Sequence, residues 1–175
     1  MNNQIAIVGR TNVGKSLLFN KLTRQRKALV IDLHGVTKDI NCGYLINHEK
    51  KSIQLYDTSG FTESIDKGDT FYNRTIECID RCDLILYVIS LNNLLNSHDK
   101  QIISDLRKKN KKIILIVNKI DLKKKNDTTF DAFRYGIENT FEVSAKDNNG
   151  INELKNYLTS IVSGKDISHD YFKRI

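Results

Sequence analysis

Proline and tryptophan are absent from the 175 residues, methionine occurs once, and there are only three cysteines. Lysine far outnumbers arginine, and asparagine and isoleucine are abundant, so the missing proline belongs to a bias of the kind that AT-rich coding imposes. Cys42, Cys78 and Cys82 form neither a CxxC pair nor a zinc-ligand spacing, which excludes the familiar structural zinc frameworks. Cys78 and Cys82 lie four apart on an expected helix and share a face, so core packing is preferred to a redox role. No apolar run reaches the roughly 18 residues of a membrane span. Met1-Asn2-Asn3-Gln4 leads straight into an apolar strand, with no basic segment and long apolar stretch of a signal peptide, so the expected place is the cytoplasm. Internal repeats and low-complexity tracts are also missing.

What is present fits one soluble globular domain. Hydrophobic residues make up 39% and charged residues 28%, and the chain is long enough to bury a core. The net charge of +7 gathers at Lys21 to Lys27, Arg107 to Lys112 and Lys123 to Lys125. Two readings stay open for these clusters: contact with RNA or a ribosome, or plain surface solvation.

The stretch that organises the rest is Gly9-Arg10-Thr11-Asn12-Val13-Gly14-Lys15-Ser16, which fits G-x-x-x-x-G-K-[ST]. Gln4 to Val8 reads as a buried strand before it, and Leu17 to Leu22 as an apolar-faced helix after it. That context is what a phosphate-binding loop requires: turned backbone presents its N–H groups as an anion nest, and the next helix adds the positive end of its dipole. Lys15 supplies a charge for the β and γ phosphates, and the Ser16 hydroxyl suits Mg²⁺.

Four further loops bear on the same chemistry. Arg26 to Ile40 is polar and aperiodic, and its Thr37 hydroxyl can complete a Mg²⁺ shell while its N–H meets the γ-phosphate. Cys42 to Asn47 and Ser52 to Asp57 read as an antiparallel hairpin that delivers Asp57-Thr58-Ser59-Gly60: an acid for a second Mg²⁺ contact and a glycine N–H for the γ-phosphate. Phe61 follows this motif. The run Asp83 to Ile89 and the run Ile113 to Val117 read as buried parallel strands, with a helix from Ser97, its expected N-cap, to Lys109 between them. The second run ends in Asn118-Lys119-Ile120-Asp121. A carboxylate such as Asp121 accepts from guanine N1 and the 2-amino group, a donor pair that adenine lacks. Asn118 would brace neighbouring loops and the Lys119 stem would cover the base. The strand Thr140 to Val143 opens into Ser144-Ala145-Lys146, whose N–H groups are placed to meet guanine O6, and a last helix runs from Ile151 to Val162. The alternation gives a doubly wound α/β sheet with one antiparallel strand, with all five loops at the C-terminal edge of the parallel strands.

From Gln4 to Val162 these residues resemble a translation-factor-class small GTPase, and more narrowly the first G domain of the Der (EngA) ribosome-biogenesis GTPases. The resemblance rests on Gly9 to Ser16, on Gly35-Val36-Thr37-Lys38-Asp39, on Asn118 to Leu122 and on Gly150 to Leu154. It is similar, more distantly, to Era and to the G domain of MnmE. The family usually has Pro at Thr11 and at His34, Arg at Lys38 and Gly at Ser59; each replacement keeps the ligand-facing residues. The resemblance implies a P-loop NTPase fold, a three-layer α/β/α G domain over residues 1–163 with a mostly parallel six-stranded sheet. Residues 164–175 would be a linker or the start of a second G domain, with a native start and an artificial stop. It implies GTP and GDP as ligands, Mg²⁺ held by Ser16, Thr37 and Asp57, and K⁺ on Asn12, with Asn12, Lys15, Thr37 and Gly60 as the residues of catalysis. It further implies a ribosomal subunit or rRNA as partner, no DNA, no membrane and a monomeric isolated domain. Asn12 has a plainer alternative, an Asn bonding its own turn. Where Ras-like GTPases carry a water-orienting Gln, this chain has Phe61. A nucleotide-gated binding module with negligible turnover is therefore the competing reading, and a scaffold that binds nothing is a third.

Overall fold

In the computed structural model the residues described are 3–23, 40–46, 51–58, 60–61, 70–123, 136–161 and 165–166. Every residue of strand β4 (Leu84–Ser90) is buried. A strand can be apolar on both faces only if helices cover both, which is the condition of a parallel sheet between helical layers. β4 lies between β1 (Gln4–Gly9) and β5 (Lys112–Asn118), parallel to both. On the other side of β1 comes β3 (Lys51–Asp57), also parallel, and then β2 (Asn41–Ile46), antiparallel to β3 from Asn41↔Asp57 to Ile46↔Ser52. Beyond β5 comes the short β6 (Thr140–Glu142). The order is β2-β3-β1-β4-β5-β6, six strands with one antiparallel, as the alternation of elements predicts. A two-residue strand, β7 (Lys165–Asp166), adds to β3 antiparallel at Ser52↔Lys165 and Lys51↔Asp166. It carries no apolar pattern, so nothing in those two residues announces it. The rest of the expected linker lies outside the described residues.

The alternation of side chains across the pleat sorts the core into two halves. Ile5, Ile7, Leu86, Val88, Ile114 and Ile116 pack on α1 (Lys15–Thr23) and α4 (Ile151–Ile161) through Leu18, Phe19, Leu22, Leu154 and Leu158. Ala6, Val8, Ile85, Tyr87, Leu115 and Val117 face the other way, onto α2 (Thr70–Arg81) and α3 (Ser97–Lys108) through Cys78, Ile79, Cys82, Ile102, Ile103 and Leu106. All three cysteines are buried and free, in keeping with core packing. Burial pushes the Cys42 thiol up to about 11, and hydrogen bonding to Cys78 together with burial pushes Cys82 up as well, so neither forms the reactive thiolate near neutral pH.

The N-cap of α3 is Asn96, not Ser97. Asn96 Oδ1 accepts from the Asp99 N–H at 2.9 Å, and Asp99 Oδ2 accepts from the Asn96 N–H at 2.9 Å. This reciprocal box satisfies two donors at once, which a serine cap one residue later cannot match.

Strand ends place the functional loops. β1 is the switch point, because the chain continues to β3 on one side and β4 on the other. Gly9, Asp57, Ser90 and Asn118 are the last residues of their strands and lie along one edge.

Candidate functional site

The phosphate loop is fixed by β1 before it and α1 after it. Gly9 has φ +151°, and a Cβ there would strike the Val88 carbonyl oxygen of β4, so only glycine allows this approach. Asn12 and Gly14 also have positive φ, 62° and 96°. Helix α1 starts at Lys15 with no acidic residue in its first turn, so nothing in that turn competes with an anion for its N–H groups. Lys15 is 7% exposed, and its Nζ donates to the Arg10 carbonyl at 2.8 Å. Burial lowers its pKa to about 8, against the opposing pull of Asp57. Gly60 lies against the same loop: a Cβ there would come within 2.7 Å of Thr11 N and 2.8 Å of Lys15 Nζ.

Asp57 is 4% exposed at the end of β3. Burial raises its pKa, opposed by the Ser16 hydroxyl bond, the Lys15 charge and the Asn41 side chain. Its Oδ1 is buried with no hydrogen-bond partner. A buried carboxylate oxygen without a partner, beside a hydroxyl and at the phosphate loop, suits a hard cation that takes oxygen ligands. These residues therefore fit Mg²⁺. Thr37, the third expected ligand, and Ser59 lie outside the described residues.

The Asn118 to Asp121 tetrad, expected to read the base, is bolted to the Gly9 to Ser16 loop. Asn118, 2% exposed, donates from Nδ2 to the Val13 carbonyl at 2.9 Å and accepts the Ala145 N–H at 3.0 Å. Lys119 sits in the left-handed region at φ 67° and donates from Nζ to the Asn12 carbonyl at 2.7 Å. Ile120 N–H bonds to the Val143 carbonyl at 3.3 Å. Asp121 is exposed, and its Oδ1 accepts the Ser144 hydroxyl at 2.8 Å, which aims the carboxylate. Ser144 Oγ in turn accepts the Asp147 N–H at 3.1 Å. Lys146 is exposed beside the buried Ala145.

Three predicted contact residues have side chains turned elsewhere. The Thr58 hydroxyl donates to the Ile7 carbonyl at 2.8 Å, which ties β3 to β1. The Phe61 ring packs in the core half under α2 and α3, while its N–H bonds to the Gly9 carbonyl at 3.1 Å. An aromatic ring gains more from that apolar half than from a polar loop. The Arg10 guanidinium, 6% exposed, bonds to Asn93 and Leu94 and pairs with Asp99. Sequence reasoning missed Asp99, Tyr87, Asn93 and Asn41. Only the Asn96-x-x-Asp99 spacing, a capping-box pattern, offered a local sign of one of them.

A parallel sheet with a phosphate loop at its switch point, and an N-K-x-D tetrad locked onto that loop, defines the G domain of a P-loop GTPase. The chain belongs to the 50S ribosome-binding GTPase family, whose pattern matches residues 4–119. It is 38% identical to GTPase Der of Buchnera aphidicola subsp. Schizaphis graminum over 165 residues, 92% of this chain and 36% of that protein. It is 32% identical to GTPase Der of Sulfurimonas denitrificans over 167 residues, 95% of this chain and 34% of the relative. The chain thus spans about a third of the length of these curated relatives. In fold it resembles an Aquifex aeolicus Era variant bound to GDP and AlF4⁻, with a TM-score of 0.73 at 24% identity over 94% of this chain and 58% of that one.

Proposed function

We propose that this chain binds GTP and hydrolyses it to GDP and phosphate as the G domain of a Der-like GTPase that acts in the cytoplasm on assembly of the large ribosomal subunit. One observation carries the reading: Asn118 and Lys119 are hydrogen-bonded to the phosphate loop at Val13 and Asn12, and Ser144 braces Asp121. This sets a base-reading carboxylate at a fixed span from a phosphate cradle, which is the requirement for a guanine nucleotide. In this reading the N–H groups from Arg10 to Ser16 wrap the phosphates, Lys15 supplies charge and Gly60 presents its N–H to the γ-phosphate. Asp121 and the N–H groups of Ser144 to Lys146 select guanine. Ser16, Thr37 and Asp57 would hold Mg²⁺, which when bound neutralises charge on the phosphate oxygens. Asn12, on its left-handed turn, would ligate K⁺. The isolated domain is read as a monomer, with a ribosomal subunit or rRNA as partner of the longer protein and no role for DNA or a membrane.

Positioning and charge stabilisation do most of the work in phosphoryl transfer. Phe61 is committed to the core, so the attacking water must be held by main-chain groups or by the first loop. That same observation favours a second reading, a nucleotide-gated ribosome-binding module with little turnover alone. Membership of an Era- or MnmE-like group is the further alternative within the class. The deciding experiment is chromatographic identification of the co-purifying nucleotide, followed by multiple-turnover phosphate release. Guanine nucleotide with sustained release supports the enzyme, whereas guanine nucleotide without release, joined to GTP-dependent pelleting with ribosomal subunits, supports the gated module. Equal affinity for ATP and GTP sinks both.

A further inference from the structure

Arg10 is the second residue of the phosphate loop, yet its side chain grips a different part of the molecule. Nη1 donates to Asn93 Oδ1 at 2.9 Å, and Nη2 donates to the Asn93 carbonyl at 2.5 Å and the Leu94 carbonyl at 2.9 Å. Nε lies 3.3 Å from Asp99 Oδ1, an ion pair without hydrogen-bond alignment. The acceptors are themselves immobilised. Asp99 is fully buried, accepts the Tyr87 hydroxyl at 2.7 Å and closes the capping box of α3. Asn93 N–H bonds to the Ser90 carbonyl at 2.9 Å, and Leu91 N–H bonds to the Asn118 carbonyl at 2.9 Å. Fork-shaped donors reaching three oxygens in different directions are a property of arginine that lysine cannot reproduce.

The main chain of the same residue faces the phosphate site. The Arg10 carbonyl is the acceptor for Lys15 Nζ, and Arg10 forms a parallel bridge with Phe61, directly after Gly60. The residue that sets the resting place of the phosphate lysine is thus held from outside the loop by the β4–α3 connection and the first turn of α3.

We infer that Arg10 is a positioning residue for the γ-phosphate end of the site: Asn93 and Leu94 in the β4–α3 connection, with Asp99 of α3, hold Arg10 so that its carbonyl keeps the Lys15 ammonium in line with the loop. The inference rests on the GTP reading given above. A reacting-group displacement of about 1 Å costs up to about 100-fold in rate, so loss of the grip is read at the chemical step rather than in overall binding. A purely structural ion pair would instead change stability and all ligands together.

The test compares the unmutated chain with Arg10→Lys and Asp99→Asn. Asp99→Asn keeps an oxygen for the Asn96 N–H, removes the charge, and turns an amide NH2 toward the Tyr87 hydroxyl, which can accept from it in place of donating. The measurements are affinity for GDP and for a non-hydrolysable GTP analogue, the single-turnover hydrolysis rate, the preference for GTP over xanthosine triphosphate, and melting temperature. Each variant is expected to lower the hydrolysis rate by about tenfold or more. Each should also weaken the GTP analogue at least about fivefold more than GDP, with base preference unchanged. Rates and analogue affinity within about twofold of the unmutated chain overturn the inference, as does a parallel loss for GDP and analogue with a lowered melting temperature. If a variant does not fold, Asn93→Ala removes one exposed acceptor; a smaller loss in the same direction supports the inference and no change overturns it. An unmutated chain that does not bind GTP sinks the functional reading itself, and this inference with it. If it binds but does not turn over, the ratio of analogue to GDP affinity decides.

Discussion

Asp57 sets ligand binding against stability. Its folded pKa is raised above the ordinary carboxyl value, so burial disfavours the charged form. Any stability from the protonated carboxyl is present at low pH and is lost as pH rises through the raised folded value; at neutral pH the ionised form is a burden on the ligand-free fold. Asp57→Asn is therefore expected to raise the melting temperature without nucleotide by about 2–4 °C, the equivalent of about 1 kcal/mol in a domain of this size, while weakening GTP binding in Mg²⁺ at least about tenfold. A lower melting temperature in thermal scans would contradict this. Asp121→Asn should move preference from GTP toward xanthosine triphosphate, because an amide donates where the carboxylate only accepted; competition binding at equal nucleotide concentrations checks it. Asn12 has its own assay: GTP turnover in matched KCl and NaCl. K⁺ stimulation is expected in the unmutated chain and should vanish in Asn12→Ala, and equal rates in both salts would remove the ion.

At the scale of elements, the start of α3 separates a correct cap from a plausible one. Asn96→Ala should lower stability by about 1 kcal/mol in urea titration, whereas Ser97→Ala, which removes no cap, should stay within about 0.5 kcal/mol. Equal effects would mean that the box is not formed in solution. The same helix shows what was legible in the chain. The phosphate loop and the N-K-x-D tetrad could be read directly because each is a local backbone requirement stated in consecutive residues, and the buried strands because β4 and β5 are apolar throughout. Arg10 could not be read that way. Its partner Asn93 stands 83 residues away, and only the adjacency of β1 and β4 brings the two together. The directions of the Thr58 and Phe61 side chains were hidden for a related reason: sharing a motif with expected ligand-facing neighbours does not settle which way a side chain turns. In β7 the pairing is dictated by the open ladder of β3, and its own two residues carry no sign of it.

At the scale of the whole molecule, the proposed nucleotide site is stitched across the chain. Val13 bonds to Asn118, 105 residues away, and Asn12 to Lys119, 107 residues away. A ligand that bridges such distant segments stabilises only the complete fold, so GDP at about 100 times its dissociation constant should add about 2.7 kcal/mol and raise the melting temperature accordingly. A shift confined to a local probe near Lys15, with no change in global melting, would show that the segments are not coupled. The parallel β1–β4–β5 core has a further consequence for how the protein is made. Non-local strand pairing is slow, and domains emerge from the ribosome N-terminal end first. The phosphate loop leaves the exit tunnel well before Asn118, which bonds to it, and Ala145, which holds Asn118. A nascent chain therefore carries its most recognisable motif through the whole stretch from Ser16 to Ala145 without being able to use it, and nucleotide can begin to protect it only after Ala145 has been translated and released from the tunnel.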